Sequence, residues 1–502
     1  MRESFRRACT NLRIPRDTMK VLIVSPEVAP FARAGGLADF AGSLAVSLGR
    51  LGHDVRVMTP KYKMTDEAAF GLTPCIEQFD APISTRKEPC SILKGALGAV
   101  PVYFLKHDAY YRRDYLYGDS QGDYPDNAER FIYFSRSILE ACKALQFFPD
   151  VIHCCDWQSG LVPVYLRETY RADPAFAKTA ALFTVYNLTH QGLFWHYDMH
   201  LTGLGWDLFT PDGLEYYGKI NLMKAGVIWA DIVSTVSVKY SQEIQTKEFG
   251  QGLEGVFQYR SRDLYGVVNG VNYAAWDPAA DEKIAKPYAP ISMSGKAICK
   301  TDLLNAFRLS PPDDAPVISM IAPLREEKGA DLLAEIAEKI IGQPASLIVM
   351  GTGAEKYHKL FHLMREKYAP KFGLLLDDDD AMAHKILAGS DMLLLPFRYE
   401  PFGTHQMRGL RYGTIPIVRA TGSLCDTVRP FDAAANTGTG FTFETYAGDS
   451  LLAAIERGVS AYRAPNVWNG LVQRAMAEDF SWDIAAKAYD ALYRKAQKKR
   501  LS

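Results

Sequence analysis

The sequence predicts an α/β protein with two doubly wound domains, each built on a parallel sheet and facing one another. Three observations carry that prediction. At 502 residues the chain is too long for one ordinary core. A strand-helix-strand alternation opens it, and a second alternation of the same kind begins after residue 315.

The first series starts at Lys20-Val-Leu-Ile-Val-Ser25, an apolar run suited to a strand buried on both faces. After a glycine-bearing loop, Leu37, Phe40, Ala41, Leu44, Leu48 and Leu51 recur at helical steps, Gly52 can end that helix, and Val55-Arg-Val-Met58 restarts an extended segment. The second series runs through Val317-Ile-Ser-Met-Ile321, a helix over 329–341, Ser346-Leu-Ile-Val-Met350, a helix from Glu355, Met392-Leu-Leu-Leu395 and Ile415-Pro-Ile-Val418. Between the series, residues 272–300 carry Pro278, Pro287 and Pro290 with several Ala, Ser and Gly and read as a linker. Phe480 to Tyr493 reads as a closing amphipathic helix. The expected organisation is an extension over 1–18, a first domain over 19–271, the linker 272–300, a second domain over 301–478 and a closing helix over 479–502.

Lys plus Arg total 57 against 58 for Asp plus Glu, so no global charge draws nucleic acid or an anionic membrane, and a small or neutral partner is expected. No apolar run reaches the ~18 residues a membrane span needs. Eight cysteines without a C-x-x-C pair, two of them adjacent, suit reduced thiols and a cytoplasmic protein. Residues 1–18 hold five arginines and no apolar centre, leaving an organelle transit peptide, hence a plastid address, or an extended start before Met19 open.

Several loops could carry chemistry. Phe31-Ala-Arg-Ala-Gly-Gly-Leu-Ala-Asp39 places Arg33, Gly35 and Gly36 before a helix start, equipment for phosphate or sugar hydroxyls and equally for a plain turn. His153-Cys-Cys-Asp-Trp-Gln158 puts Asp156 beside Trp157 at the carboxyl end of a strand, fit for a sugar or for a helix cap with a packed ring. Phe183 to Gly192 ends another strand in rings and amides, including Tyr186 and Asn187. Arg325-Glu-Glu-Lys-Gly329 sets Arg325 and Lys328 near a helix start, or forms a solvated charged turn. Phe397-Arg-Tyr-Glu-Pro-Phe-Gly-Thr-His-Gln406 offers Glu400 for hydroxyls and Gly403, with Thr404 and His405, for a diphosphate. His358 with His362 and His196 with His200 have zinc-like spacing but no convincing third ligand. The run Asp377–Asp380 could grip Mg²⁺, but a helix cap is the simpler reading.

Taken in order, these motifs resemble the glycogen and starch synthase family over Met19 to Tyr493. They are joined by Leu116-Tyr-Gly118, Asp126-Asn-Ala-Glu-Arg-Phe131, Asn221-Leu-Met-Lys-Ala-Gly226, Thr235-Val-Ser237, Phe249-Gly-Gln-Gly-Leu-Glu-Gly255, Val268-Asn-Gly-Val271 and Arg411-Tyr-Gly-Thr414. The resemblance implies a GT-B fold with its site in a cleft, and transfer of glucose from ADP-glucose to the non-reducing end of an α-1,4-glucan, with retention and without metal or cofactor. It also implies residue roles. Lys328 matches a cation at the diphosphate, Glu400 the carboxylate on the transferred sugar, Gly403 the diphosphate loop, Asp156 the acceptor side, and Tyr117, Asn187 and Asn269 the sugar pocket.

Departures from the family pattern fall on the same positions. Arg33 and Ala34 replace Lys and Thr, Tyr186 replaces His, and Pro323 stands where the family has a diphosphate arginine, with Arg325 two residues on. Phe402 replaces Cys, His405 replaces Thr, Asp378 replaces an aromatic residue and Ser423 replaces a Gly. A working glucan synthase is therefore the first expectation, and a catalytically impaired glucan- or nucleotide-binding relative with a regulatory role, or a transferase for another nucleotide-sugar, the alternatives.

Overall fold

The computed structural model describes residues 18–312 and 314–502; the expected 1–18 extension lies almost wholly outside them. Two sheets dominate. The first draws on β1 (Lys20–Val24), β2 (Asp54–Pro60), β3 (Thr73–Ile83), β4 (Arg86–Leu97), β5 (Val100–Lys106), β6 (Val151–Cys155) and β7 (Ala180–Val185). A small separate sheet follows from β8 (Leu193–Trp195), β9 (Glu215–Tyr216) and β10 (Lys219–Asn221). β11 (Ile232–Thr235) and β12 (Leu264–Gly266) complete the first sheet, whose order is β12-β11-β7-β6-β1-β2-β5-β4-β3.

The apolar runs explain why these strands lie centrally: β6 and β7 are buried at every position, and β1 at all but Lys20. β1 pairs in parallel with both β2 and β6, so chain order reverses between β1 and β6. The antiparallel edge β3-β4-β5 was not legible in the periodicity; its outer strand alternates weakly and is mostly exposed.

The second sheet is wholly parallel, from β13 (Val317–Ile321), β14 (Ser346–Met350), β15 (Phe372–Leu375), β16 (Met392–Leu395), β17 (Ile415–Arg419) and β18 (Phe441–Phe443). Its order, β15-β14-β13-β16-β17-β18, is that of a doubly wound fold, and the reversal falls between β13 and β16. The core follows from Val, Ile, Leu and Met of these strands and from helices such as Ala330–Ile341, whose Leu333, Ile336, Ala337 and Ile340 are fully buried.

The described chain divides into two compact units. One takes the chain up to Phe183 with Gly192–Asp231 and Asp490–Ser502, the other Thr184–Gln191 with Ile232–Tyr489. Residues 272–293 contain no helix or strand, whereas the helix Ser294–Phe307 begins inside the stretch expected as linker. The closing helix runs Trp482–Leu501. Among the described residues no helix is long and apolar enough to cross a membrane, and the cysteines are free thiols.

Candidate functional site

Doubly wound sheets seat ligands where neighbouring loops part, at the carboxyl ends of the strands flanking the reversal. In the second sheet those are the loops after β13 and β16. The first turns at Glu326–Lys328 before Gly329, whose φ of +76° and close approach to the Pro396 carbonyl (2.4 Å from a would-be Cβ) require glycine. Lys328 Nζ consequently lies 2.6 Å from Glu400 Oε2 and over the Phe397 ring at 4.7 Å. Glu400 is 3 % exposed, and its second oxygen, Oε1, is buried with no protein partner. A buried acceptor without a donor is costly unless a ligand supplies one.

The Glu400 loop is held from behind. Ser423 N–H and Oγ donate to the Glu400 carbonyl at 3.0 and 3.4 Å, and the same Oγ lies 3.4 Å from the Gly403 carbonyl, so serine in place of glycine acts here as a tie. Gln406 Nε2 donates to the Gly403 carbonyl at 2.7 Å. A Cβ on Gly403 would sit 2.7 Å from Glu400 Cγ, so glycine here lets the carboxylate fold back against the loop. Behind Ser423, the buried Glu243 carboxylate accepts from Gly422 N–H (3.1 Å) and Thr421 Oγ1 (3.1 Å), and burial raises its pKa despite those bonds.

Thr404 precedes the helix His405–Arg411 and His405 opens it. Removal from solvent, reinforced by Arg408 and Lys328, lowers the His405 pKa to about 3, so its imidazole is neutral at ordinary pH. It offers one donor and one acceptor, not a charge.

Two departures turn out to be partners. Tyr186, 4 % exposed, stacks on Phe402 with centroids 4.5 Å apart and 28° between planes. Nearby, Leu188 N–H donates to Tyr240 Oη at 3.1 Å, and Tyr240 is hydrogen-bonded to Tyr399, the residue before Glu400. Replacing His and Cys together has thus put one aromatic pair beside the Glu400 loop. Asn187 Oδ1 accepts from Thr189 N–H at 3.1 Å. Asn269, 5 % exposed, keeps a buried Oδ1 without a protein partner.

Arg325 does not join this cluster. Its side chain is 65 % exposed, with Glu327 Oε1 at 3.8 Å, and lines an open depression of about 660 Å³ with Thr352, Gly353, Lys356 and His358. The expectation that it stands in for the arginine missing at Pro323 finds no supporting contact, because Arg325 N–H folds back onto the Pro323 carbonyl and the side chain leaves toward solvent.

In the first sheet the corresponding loops follow β1 and β6. Gly36 starts the helix Gly36–Arg50 with Gly35 as its cap. Of the two readings open for this loop the hydrogen bonds are those of a turn closed on itself: the Ala34 and Gly35 N–H groups donate to Glu27 Oε2 at 2.7 and 2.8 Å, while Tyr117 Oη donates to Oε1 at 3.0 Å. Glu27 was missed in the sequence, although a carboxylate eight residues ahead of a Gly-Gly turn was the available signal. Burial raises its pKa, outweighing those hydrogen bonds and Arg33. Arg33 itself is exposed and paired with Asp39.

Asp156, 6 % exposed, adopts φ +60°, ψ 178°, a region nearly reserved for glycine and costing about 1–3 kcal/mol. Its carbonyl accepts from Ser159 N–H (3.1 Å) and Oγ (3.0 Å), which hold the turn, and Trp157 packs edge-on against Phe131. Within the acidic run, Asp379 Oδ1 caps the helix Asp380–Gly389 by accepting Met382 N–H at 3.0 Å. His358 Nε2 accepts from Gly353 N–H at 3.0 Å. Among the described residues no three His, Cys, Asp or Glu side chains gather as a metal site.

Residues 20–259 match the family model described as "Starch synthase catalytic domain", and residues 304–469 match "Glycosyl transferases group 1". Glycogen synthase 2 of Geobacter sulfurreducens is 43 % identical over 478 residues, covering 95 % of this chain and 99 % of the relative. The chain belongs to the glycogen and starch synthase family. The glycogen synthase of Koribacter versatilis is 42 % identical, with 96 % and 99 % covered. Among solved structures, the catalytic domain of Starch Synthase IV from Arabidopsis thaliana, bound to ADP and acarbose, superimposes with a TM-score of 0.86 at 29 % identity, over 96 % of this chain and all of that one. Sucrose-phosphate synthase from Thermosynechococcus elongatus shares the fold alone, with a TM-score of 0.58 at 16 % identity over 95 % of this chain and 98 % of that one. The fold of this family member is accordingly the GT-B type, α/β with two doubly wound sheets.

Proposed function

We propose that the chain transfers glucose from ADP-glucose to the non-reducing end of an α-1,4-glucan, with retention and without a metal, in the cytoplasm. The observation that carries this reading is the Lys328–Glu400 pair at the β13/β16 reversal, with Glu400 Oε1 left unpartnered. As the glucosyl bond to the diphosphate breaks, negative charge grows on the leaving phosphate, and fixed cations and N–H donors there stabilise it more than they stabilise the substrate. Lys328 is the cation, the Gly403–His405 loop supplies donors, and neutral His405 adds a ring N–H without repelling Lys328. Glu400 Oε1 accepts a hydroxyl of the transferred sugar. Asp156, Tyr117, Asn187 and Asn269 serve the sugar and acceptor side, and the Tyr186–Phe402 pair supplies an apolar wall where the family pattern has an imidazole.

Pro323 favours a second reading, a transferase that binds its substrates but turns over slowly, since one missing diphosphate cation costs about 10²–10³ in rate. The test is ADP release by purified protein given ADP-glucose and glycogen, beside Glu400→Ala. Release well above the variant supports transfer. Glycogen binding with no release above it supports the second reading.

A further inference from the structure

We infer that Arg408 is the second cation of the donor site, its guanidinium meeting the diphosphate charge that the proline at 323 leaves uncovered. The inference rests on the glucan-transfer reading and deepens it.

A diphosphate leaving group spreads its charge over several oxygens, and a lysine meets them as a point charge without the planar fork that an arginine offers. The loops after β13 and β16 and the helix His405–Arg411 hold five cations, Arg325, Lys328, Arg398, Arg408 and Arg411. Three of them are engaged elsewhere. Arg325 leaves toward solvent beside Glu327, Arg398 lies over the Tyr446 ring at 3.9 Å with Asp331 at 3.6 Å, and Arg411 holds Asp277 at 2.5 Å. Lys328 stands at Glu400, so the fork can come only from Arg408.

Its place on the helix suits that role. Arg408 follows His405 by three residues and Thr404 by four, so it shares their face, and its backbone N–H donates to the Thr404 carbonyl at 3.0 Å. Side chains on a helix lean toward its start, which carries Arg408 back over Thr404 and His405, the loop that supplies donors to the diphosphate. This face is partly open to solvent, whereas Gln406, Met407, Gly409 and Leu410 are buried. The electrostatics agree: burial lowers the His405 pKa to about 3, and Arg408 and then Lys328 push it the same way, so both cations act on one ring.

A shelf from the segment 272–293 holds the guanidinium. Arg408 Cζ sits 4.1 Å from the centre of the Trp276 ring, and Trp276 stacks on His384 with centroids 3.7 Å apart and 13° between planes. His384 Nδ1 lies 2.7 Å from Asp281 Oδ2, which pins the base of the stack. Stacking engages the face of a guanidinium, while its N–H donors point along its plane, the direction from which a phosphate is gripped by two oxygens. Asp380 also feels Arg408, but its partner is Lys283, whose hydrogen bond is the first cause of its lowered pKa and Arg408 a lesser one.

The test titrates ADP and, separately, adenosine into wild type, Arg408→Met, Pro323→Arg and the double variant by calorimetry, with a melting curve on each. Arg408→Met should weaken ADP about tenfold and leave adenosine within about twofold, since only ADP brings the diphosphate. Pro323→Arg alone should change ADP affinity by less than about threefold, and the double variant should return to within about threefold of wild type. ADP release from ADP-glucose and glycogen should follow, falling about 10²-fold in Arg408→Met and recovering in the double variant. Equal losses for ADP and adenosine would mean that Arg408 only braces Trp276, and they overturn the proposal, as does a double variant that fails to recover. A gain of about tenfold or more from Pro323→Arg alone overturns it too, and this arm leaves the shelf untouched, so it decides even where Arg408→Met does not fold. The two readings fail separately. Wild type without ADP release, but with ADP affinity lost in Arg408→Met and regained in the double variant, sinks transfer and keeps the cation, whereas ADP release with ADP affinity indifferent to Arg408 sinks the cation alone.

Discussion

The two sheets reverse their strand order in the same way, yet the loops at the two reversals are in opposite states. After β1, the glycine turn is closed on itself: the Ala34 and Gly35 N–H groups and the Tyr117 hydroxyl all end on Glu27. After β16, the loop is braced from behind by Ser423 and Gln406, and its front presents a buried Glu400 oxygen with nothing to bind, next to a lysine. The glycine motif, open in sequence to a ligand or a plain turn, is internally satisfied, and the one set around a carboxylate is open. A motif's residue types do not say whether its hydrogen-bonding groups are spoken for; the partners do.

The largest effect should come from the open loop. Lys328→Met is expected to lower ADP release about 10²–10³-fold and also to lower the melting temperature, because Glu400 is left buried and unpaired at a cost of about 3–5 kcal/mol. Adding Glu400→Gln should recover the melting temperature but not the rate, and a double-mutant cycle on both readouts checks this. Next, Gly403→Ala drives a methyl into Glu400 Cγ and Gln406; a displacement near 1 Å costs up to about 10² in kcat, with little change in secondary structure by circular dichroism.

The closed loop should behave differently. Glu27→Ala strands two N–H groups and a hydroxyl, so stability falls by about 1–3 kcal/mol while kcat stays within about threefold of wild type. A loss of rate equal to that of Lys328→Met would erase the contrast between the loops. Glu27 also has a pH signature. Its folded-state pKa is raised, so its stabilisation is full below the unfolded carboxyl value and is lost as pH rises through the folded one. Glu27→Gln should shrink the fall in melting temperature as pH rises above the ordinary carboxyl range.

The smallest effect concerns His405. Its pKa is depressed to about 3 in the folded state, so the unfolded chain takes up the proton first and stability falls as pH drops from about 6.5 toward 3. His153, buried in β6 and also lowered to about 3, adds to the same window. His405→Asn should remove part of that acid-side loss, and the rate of ADP release should show no limb from His405 between about pH 5 and about pH 8.

Much of this was legible in the sequence. The buried strands β1, β13, β14 and β16 announced themselves as apolar runs, and the glycines at 329 and 403 marked the turns that bring Lys328 to Glu400. What was not legible depends on partners distant along the chain. Nothing local to Ala34 or Gly35 names Glu27 as their acceptor. Tyr186 and Phe402 looked like two separate losses, and only the fold shows them stacked. Arg325 could replace the arginine missing at Pro323 only if the loop turned differently, and the tight turn at 323–325 sends its side chain outward.

The measurement that bears most directly on the difference between the two loops is calorimetric titration of ADP-glucose, without acceptor, into wild type, Glu400→Gln and Glu27→Gln. Affinity should fall about tenfold or more in Glu400→Gln, where a hydrogen bond to a charged group worth about 1.5–3 kcal/mol is lost, and stay within about twofold in Glu27→Gln. A fall in Glu27→Gln with Glu400→Gln unchanged would mean that the donor sugar is held by the glycine turn after β1, and would contradict the assignment of the open loop as its seat.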